Sequence, residues 1–292
     1  TTVRWDDAWP KAEIVDGIRV RRLGVLRAGR SSGRAGAGIS FMVHLWWDLL
    51  RRSRSYDVLH IHQALKPAVA AVLAGVMTGT PTIIKIGCGG DWNDITLMRR
   101  LRFGPLPVGA WMVRILRRAT RIVALNRSIA RDLIAEGFRA DQVVEIPNGV
   151  VSLPPKRERR GTANAVELLF VGRLDHQKGL DVLLQALAEL PKRRRWRLTV
   201  VGTGADDAKL RRQTEELGLA SHVRFAGQLD DVPGLLRRTD VFVLPSRAEG
   251  MSNALLEAMS VGVACLATSI GGNTELLNDG VTGLLVPPDD PP

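Results

Sequence analysis

Two glutamates, Glu249 and Glu257, stand eight positions apart in the later half of the chain. The residues that follow the first of them are Gly250, Met251, Ser252 and Asn253. A carboxylate accepts hydrogen bonds from hydroxyl groups, so two carboxylates set apart can hold a hydroxyl-rich molecule at two points. An ordinary loop charge and a solvated helix residue would give the same spacing, and that is the alternative interpretation.

The elements around the two glutamates predict how they are placed. The run 240–245 is short, apolar and β-branched, which is typical of a buried parallel strand. Apolar residues at helical spacing over 254–259 predict a helix, with Ser252 or Asn253 as its N-cap. Because the free N–H groups at a helix N-terminus hold anions, this loop favours a phosphate. These features indicate a site for a sugar joined to a nucleotide through phosphate.

A pair of glycines, Gly202 and Gly204, follows another apolar run at 196–201. Glycine has no Cβ, so the backbone at this point lets a phosphate or a base approach closely. We therefore expect both glycines to line the same donor site.

The later half alternates strands and helices, which predicts a parallel, doubly wound sheet. The predicted strands lie at 166–171, 196–201, 223–226, 240–244 and 263–267. The predicted helices lie at 180–190, 208–217, 232–238 and 253–261.

The first half predicts a second α/β domain. Its predicted strands lie at 18–25, 57–62, 81–86, 120–126 and 143–147. Its predicted helices lie at 41–54, 64–78, 108–119 and 128–136, with a loop rich in glycine and arginine at 29–38. The loop 87–91 is rich in glycine but is not G-x-G-x-x-G, so it does not indicate a dinucleotide cofactor. We divide the chain into a first domain at 1–152, a linker at 153–165 and a second domain at 166–292.

The positive charge of the chain is concentrated in its first half. Residues 1–150 hold 23 Lys and Arg against 12 Asp and Glu, whereas the remainder holds 18 of each. Basic amphipathic stretches at 41–54 and 99–121 favour an anionic membrane surface over nucleic acid as a partner, whereas a core-facing helix with a solvated rim is the more common reason for such a pattern. No recognition motif for nucleic acid is visible, and we expect none to bind.

The two cysteines, Cys88 and Cys265, are far apart in sequence and indicate neither a disulfide framework nor a metal site. They favour a reducing, cytosolic setting. The sequence shows no secretory signal and no apolar run long enough to span a bilayer. We therefore expect a cytoplasmic protein, peripheral at the inner face of the cell membrane where it meets lipid.

Further motifs carry a resemblance to a known family. They are Phe-Val-Gly-Arg-Leu at 170–174, Lys-Gly at 178–179, the runs 271–275 and 280–286, and Ile-Pro-Asn-Gly-Val at 146–150. In this order, together with 247–259, they make the chain resemble a retaining glycosyltransferase of family 4. The resemblance covers nearly the whole chain and is most specific over 166–290. It implies the GT-B fold, an α/β architecture in which two Rossmann-like domains face a cleft.

Members of that family begin with a strand and a glycine-rich loop, and they end with helices that cross back to the first domain. Neither feature is visible in this sequence. We therefore expect a chain that is incomplete at both ends.

The resemblance implies a role for each donor-site residue. Arg173 and Lys178 would pair with the donor diphosphate and stabilise the leaving group, because cations offset the negative charge that grows as the glycosidic bond breaks. Glu249 would hold the donor sugar, and Glu257 would accept hydrogen bonds from the ribose. Backbone groups of 250–253 would meet the phosphates and the sugar. The donor would be a UDP- or GDP-sugar, with no metal and no further cofactor.

The acceptor side is less well defined by the resemblance. Many members carry a histidine after the strand that corresponds to 81–86, and Gly87 or Cys88 stands in that place. His62 and Asp91 are the alternative candidates for contacts with a glycan or lipid-linked acceptor. His60 and His62 share one side of their strand, and a buried, hydrogen-bonded histidine is the competing interpretation.

The function implied is transfer of a sugar to such an acceptor in the synthesis of cell-surface polysaccharide or glycolipid. Two alternatives use the same fold: a sugar-nucleotide epimerase and a non-catalytic module that binds a nucleotide-sugar. A basic protein that binds nucleic acid is a third, which the acidic pair and the neutral second half disfavour.

Overall fold

A computed structural model describes residues 2–4, 10–24, 34–152, 165–191 and 195–290. Contacts between residues divide the chain into two compact units, Thr1–Ile146 and Pro147–Pro292. Each unit is a Rossmann-like α/β domain with a parallel sheet. The predicted linker at 153–165 lies outside the described residues except for Ala165, so the predicted division of the chain stays a prediction.

The first unit contains a parallel sheet of four strands and a smaller sheet of three. Its strands are β1 Thr2–Arg4, β2 Ala12–Val15, β3 Ile18–Gly24, β4 Leu59–His62, β5 Thr82–Ile86, β6 Arg121–Ala124 and β7 Val143–Glu145. The parallel sheet has the order β4-β5-β6-β7. In the smaller sheet β3 lies between β1, which is parallel to it, and β2, which is antiparallel.

The helices of the first unit connect these strands. They are α1 Arg34–Arg51, α2 Lys66–Thr78, α3 Asp94–Arg99, α4 Val108–Leu116 and α5 Arg127–Ala135. The structure corrects the predicted loop at 29–38, because residues 34–38 belong to α1. It also shows that α1 ends at Arg51 and that a 3-10 turn at Ser53–Ser55 follows it.

The second unit contains one parallel sheet of six strands. These are β8 Val166–Val171, β9 Trp196–Val201, β10 Val223–Gly227, β11 Val241–Leu244, β12 Ala264–Thr268 and β13 Leu284–Val286, in the order β10-β9-β8-β11-β12-β13. The helices are α6 Leu180–Ala188, α7 Asp207–Glu216, α8 Val232–Leu236, α9 Asn253–Ser260 and α10 Gly271–Thr274. The five strands predicted for this half are all confirmed to within one residue at either end.

Alternate side chains of each strand enter different cores in the second unit. Phe170 of β8 packs with leucines of α6 and α7, whereas its neighbour Leu169 packs with residues of α8 and α9. Successive side chains of a strand point to opposite faces of the sheet, so both faces are covered by helices. This arrangement explains why these strands are apolar runs without alternation. None of the helices in the described ranges combines the length and the apolar character needed to cross a bilayer.

Phe242 belongs to the same core as Leu169 and is fully buried. Replacing Phe242 by Ala is expected to lower the free energy of unfolding by about 3–5 kcal/mol, because a large cavity remains. Denaturant unfolding followed by circular dichroism measures the change. The control is Phe103→Ala, at a phenylalanine that is mostly exposed and should change stability by no more than about 0.5 kcal/mol. Equal losses in the two variants would contradict this account of the core.

Candidate active site

Four loops of the second unit leave the same edge of its sheet. Strands β9, β8, β11 and β12 are neighbours and run parallel. The loops that follow them therefore meet at the carboxyl edge, where doubly wound sheets hold ligands. They are 172–178, 202–206, 245–252 and 269–270.

The two glycines predicted to line the donor site are packed against a neighbouring loop. A Cβ on Gly202 would lie 1.9 Å from the carbonyl oxygen of Gly172, and one on Gly204 would lie 2.2 Å from that of Leu174. Gly202 also has a φ of 129°, which side chains rarely adopt. The backbone of Leu174 donates to Thr203 at 3.0 Å. Both glycines therefore allow the loops after β8 and β9 to touch through their backbones.

Two further glycines bring the remaining loops together in the same way. A Cβ on Gly179 would lie 2.0 Å from the carbonyl oxygen of Pro245, and one on Gly272 would lie 2.1 Å from that of Gly250. These contacts place the short 3-10 helix His176–Lys178 beside the loop that carries Glu249. They also explain why Gly250 is buried.

Lys178 and Glu249, separated by 71 positions in sequence, form an ion pair at this edge. The distance from Lys178 Nζ to Glu249 Oε1 is 2.6 Å, and the two side chains are only 15% and 8% exposed. The same carboxylate oxygen accepts a hydrogen bond from Ser246 Oγ at 2.7 Å. The backbone of Ser246 is itself held by Thr268 Oγ1. The structure thus brings together one cation and one carboxylate predicted for the site.

Arg173 stands beside this pair but does not contact it. Its side chain is 70% exposed, and its guanidinium lies 3.3 Å from Asp175 Oδ2 and 3.5 Å from Gln177 Oε1. Gln177 in turn donates to the carbonyl oxygen of Ala248 at 2.9 Å. Arg173 is therefore a solvent-facing cation connected to the Glu249 loop through Gln177.

The helix after Glu249 begins as the sequence predicts. Ser252 is the N-cap of α9, and its hydroxyl accepts a hydrogen bond from Leu255 N at 3.3 Å. Asn253 is the first helical residue and is exposed. Of the two residues predicted as caps, Ser252 takes that role.

Glu257 lies one turn further along α9 and is half-buried. Burial raises the pKa of its carboxyl group above the ordinary value. Because desolvation disfavours the charged form, a hydroxyl-bearing ligand would supply the hydrogen bonds that a buried carboxylate needs.

Asn148 is a site residue that the sequence interpretation did not single out. Its side-chain amide donates to Met251 O at 3.1 Å and to Asn253 Oδ1 at 2.9 Å. Its backbone N–H lies 3.2 Å from Met251 Sδ. Asn148 therefore fixes the loop just before α9. The only signal in the sequence is its place in the run 146–150.

Arg247 is a second such residue, and it joins three segments around the ion pair. Its guanidinium donates to both oxygens of Asp181 at 2.8 and 2.9 Å, to His176 O at 2.6 Å and to Asp289 Oδ1 at 2.6 Å. Its backbone N–H donates to Gln177 O. Burial raises the pKa of Asp181, but the hydrogen bonds and charge of Arg247 outweigh it, so the pKa lies below the ordinary value. Arg247 thus fixes the segment that carries Lys178 next to the segment that carries Glu249.

The predicted acceptor residues lie in the first unit. His60 and His62 are exposed, with ring centroids 4.5 Å apart, which corrects the interpretation of a buried strand histidine. The reason is that Leu59 and Ile61 pack against the core formed by α1 and α2, so the alternating histidines lie on the opposite face of β4. Partial burial and the positive charges of His62 and Lys85 lower the pKa of His60.

Gly87 follows β5 and lies near the Gln63 side chain. Asp91 belongs to a 3-10 helix at Gly90–Trp92, and its side chain is outside the described residues. Asp94, at the start of α3, was not predicted. Its Oδ2 accepts from Ala64 N at 3.1 Å. Burial raises the pKa of the Asp94 carboxyl group, although hydrogen bonds from the backbone N–H groups of Ala64 and Gly87 act to lower it.

Within the part of the chain that the structure describes, no group of three or more His, Cys, Asp or Glu side chains is placed to hold a metal ion.

Solved structures share the architecture of this chain. The Anabaena protein HepE, in complex with UDP-glucose, has a TM-score of 0.70 and 24% identity, over 85% of this chain and 69% of its own. Sucrose-phosphate synthase from Thermosynechococcus elongatus has a TM-score of 0.73 and 21% identity, over 99% of this chain and 75% of its own. At these identities the likeness shows the fold alone, which is the GT-B fold expected from the sequence.

Two family models identify the family. The model described as "Glycosyl transferase 4-like domain" matches residues 2–149, and the model described as "Glycosyl transferases group 1" matches residues 165–292. The chain therefore belongs to the GT-B glycosyltransferases that carry these two domains in this order.

Curated relatives are similar over most or part of the chain. Glycogen synthase of Mycobacterium tuberculosis (strain H37Rv) is 29% identical over 98% of this chain. The lipopolysaccharide core biosynthesis mannosyltransferase LpsB of Rhizobium meliloti is 39% identical over 54% of it. D-inositol 3-phosphate glycosyltransferase of Paenarthrobacter aurescens is 29% identical over 79% of it. The chain spans 64%, 51% and 60% of the lengths of these three relatives.

Replacing Asp181 by Asn should lower the free energy of unfolding by about 1–3 kcal/mol at neutral pH. The reason is that the largely buried Arg247 then loses the carboxylate that accepts two of its hydrogen bonds. A carboxyl group with a lowered folded-state pKa stabilises the fold above its ordinary pKa, and this contribution is lost as pH falls through the lowered value. The difference between wild type and Asp181→Asn should therefore persist in mild acid and disappear only in strong acid. Denaturant unfolding at a series of pH values measures it.

Asp289→Asn is the matched control, since Asp289 accepts from the same guanidinium but its side chain is 54% exposed. It should cost less than about 1 kcal/mol. A loss as large as that of Asp181→Asn, or a difference that does not change with pH, would contradict the role given to Asp181.

Proposed function

We propose that this protein transfers a sugar from a UDP- or GDP-sugar to a hydroxyl group of an acceptor, with retention of the anomeric configuration. The observation that carries the proposal is the ion pair of Lys178 and Glu249 at the carboxyl edge of the second sheet. It is supported by membership of the family and by the structures of HepE, which are complexes with UDP and with UDP-glucose.

The roles of the charged side chains follow from what each can offer the donor. Lys178 and Arg173 provide the positive charge that a departing diphosphate requires. The loop after Glu249 leads directly into the N-terminus of α9, and the N–H groups of a helix N-terminus can hold a phosphate. The chemistry then needs neither a resident metal ion nor another cofactor.

The two glutamates accept hydrogen bonds from hydroxyl groups. Glu249 orients the donor sugar, and its contact with Lys178 keeps the sugar and the diphosphate side by side. Glu257 receives the ribose hydroxyls. Gly202 and Gly204 shape the floor of the site through the loop contacts described above, and 250–253 supply backbone groups.

In the transfer step the acceptor oxygen bonds to the anomeric carbon while the bond to the diphosphate oxygen breaks on the same face of the sugar. Because the acceptor oxygen attacks the anomeric carbon directly, no covalent enzyme intermediate forms. The acceptor proton passes to the released diphosphate. Cations beside the leaving oxygen lower the energy of this step because the charge develops there.

The acceptor is a glycan or a lipid-linked sugar, which His62, Gly87 and Asp91 of the first unit contact. Among the relatives, LpsB is a mannosyltransferase of lipopolysaccharide core biosynthesis and another is a glycogen synthase, and we extend this class of acceptor to the present chain. We propose that the protein works at the cytoplasmic face of the membrane and meets anionic lipid within 41–54 and 99–121, with no role for nucleic acid.

Removing either charge of the ion pair tests the proposal. Lys178→Ala and Glu249→Ala should each lower the rate of UDP release from a UDP-sugar in the presence of acceptor by roughly 100-fold or more, because transition-state contacts are lost. Arg173→Ala should act in the same direction. A screen of UDP- and GDP-sugars by nucleotide release identifies the donor first.

The matched control is Glu189→Ala, at an exposed glutamate just after α6, which should leave the rate within about twofold. Full activity in both Glu249→Ala and Arg173→Ala would overturn the proposal. So would an epimerised donor formed without acceptor, or tight donor binding with no turnover in any acceptor mixture.

The raised pKa of Glu257 predicts how donor affinity depends on pH. The ribose hydroxyls need the charged carboxylate as acceptor, so the affinity should fall as pH drops through that raised pKa, at a higher pH than for an ordinary glutamate. Calorimetric titration of the donor across mildly acidic pH measures this. Glu257→Gln should bind weakly with no such step, and an unchanged step in that variant would assign it to another group.

A further inference from the structure

A tight turn between α3 and α4 carries two apolar side chains into solvent. Phe103 N donates to Leu106 O at 3.0 Å, and Leu106 N donates to Phe103 O at 3.1 Å, so the two residues form an isolated antiparallel pair. The side chains of such a pair lie on the same side. Phe103 is 77% exposed and Leu106 is 48% exposed. The two side chains therefore form one apolar tip rather than scattered surface residues.

The turn is held in place from beneath. Leu106 O accepts from Val108 N, and Leu101 O accepts from Gly109 N, both at 2.9 Å. A Cβ on Gly109 would lie 2.0 Å from Met98 O, so α4 packs directly against the end of α3. The apolar tip is thus presented by an ordered base.

Trp111 extends the apolar tip along α4. It lies in the first turn of that helix, five residues after Leu106, and is 62% exposed. Arg114 follows it at helical spacing and is also exposed. An exposed indole beside an exposed guanidinium is typical of side chains at a membrane interface.

The sequence around the tip is rich in positive charge, and one of its arginines, Arg99, is paired with Glu136. Residues 95–131 contain nine arginines and neither Asp nor Glu. Exposed Arg102 stands next to Phe103 in sequence, and exposed Arg114 and Arg118 follow along α4 and just after it. Basic side chains near exposed aromatic rings are what an anionic headgroup layer binds. Charge complementarity therefore favours a lipid surface over a protein partner.

The other basic stretch differs in this respect. Phe41, Leu45 and Leu49 of α1 are buried against α2, so the apolar face of that helix is already used in the core. Trp47 is half-exposed, with Arg51 stacked 4.7 Å from its ring. Among the described side chains of α1, Val43 and Trp47 are the large apolar ones that remain exposed, and Arg51 lies over the ring of the second.

We propose that the turn Phe103–Leu106, with Trp111 beside it, inserts into the headgroup region of an anionic bilayer while the surrounding arginines bind lipid phosphates. The inference rests on the lipid contact proposed above for 99–121 and names the residues that insert, whereas binding of the chain to lipid requires neither donor nor acceptor.

Sedimentation of the full 292-residue chain with vesicles tests the proposal, using phosphatidylcholine vesicles with and without phosphatidylglycerol. Binding should require phosphatidylglycerol and weaken with added salt, since exposed charges are screened. The double variant Phe103→Ser/Leu106→Ser should bind roughly tenfold more weakly, because two apolar side chains no longer leave water. The matched control is Val76→Ser/Met77→Ser, at an exposed apolar pair of α2, which should bind as the wild type does.

Tryptophan fluorescence gives an independent measurement of insertion. Lipids brominated near the headgroup should quench the wild type more than Trp111→Phe. Unchanged circular dichroism and thermal unfolding show that the variants are folded.

No binding of the folded wild type to anionic vesicles, or equal binding by the double variant, would overturn the proposal. Self-association that the double variant abolishes, without any vesicle binding, would overturn it in favour of a protein interface. Nucleotide release in solution is measured separately, so failure of lipid binding and failure of sugar transfer are distinguishable.

Discussion

Contact between backbones at glycines is the constraint on which the candidate active site depends. At Gly179, Gly202 and Gly272 a side chain would collide with a carbonyl oxygen of the adjacent loop. Parallel strands bring these loops to one edge of the sheet, but only the missing Cβ atoms let them close on one another. The distance between Lys178 and Glu249 follows from this packing, since each residue sits on a loop held by one of these contacts.

The ion pair itself is not explained by the needs of the fold. Two largely buried charges lose hydration, and their attraction often does no more than offset that loss. Glu249 gains a hydrogen bond from Ser246, and Arg247 with Asp181 fixes the segments on which the pair stands. A cluster of buried polar and charged side chains at the ligand-binding edge of a sheet is typical of a functional site. The exposed Arg173 adds charge on the solvent side of the same loops.

The sequence predicted the second sheet closely because both faces of that sheet are covered. Its strands are continuous apolar runs, and the glycines and Ser252 mark where strands stop and helix α9 starts. The start of α1 could not be predicted in the same way, since a stretch rich in glycine has weak helical preference. The exposure of His60 and His62 depends on which face of β4 packs against α1 and α2, and the packing of Leu59 and Ile61 reveals that face.

The residues that the sequence interpretation missed are those whose partners are distant in the chain. Arg247 meets Asp181 across 66 positions, and Asn148 meets Asn253 across 105. Neither residue lies in a local sequence pattern that indicates its role. The apolar turn at 103–106 could not be predicted for a different reason, because only the helix that follows it, at 108–119, has a clear apolar periodicity. Residue types could therefore indicate the chemistry of the site, whereas the contacts that position it required the fold.

The proposed function requires that Arg173, Lys178, Glu249 and Glu257 bind one nucleotide-sugar. A crystal structure of this chain with a bound UDP-sugar is the most direct test. The diphosphate should lie beside Lys178 and Arg173, with a sugar hydroxyl on Glu249 and the ribose on Glu257. Density for the donor away from the carboxyl edge of the second sheet, with the contact between Lys178 and Glu249 untouched, would contradict it.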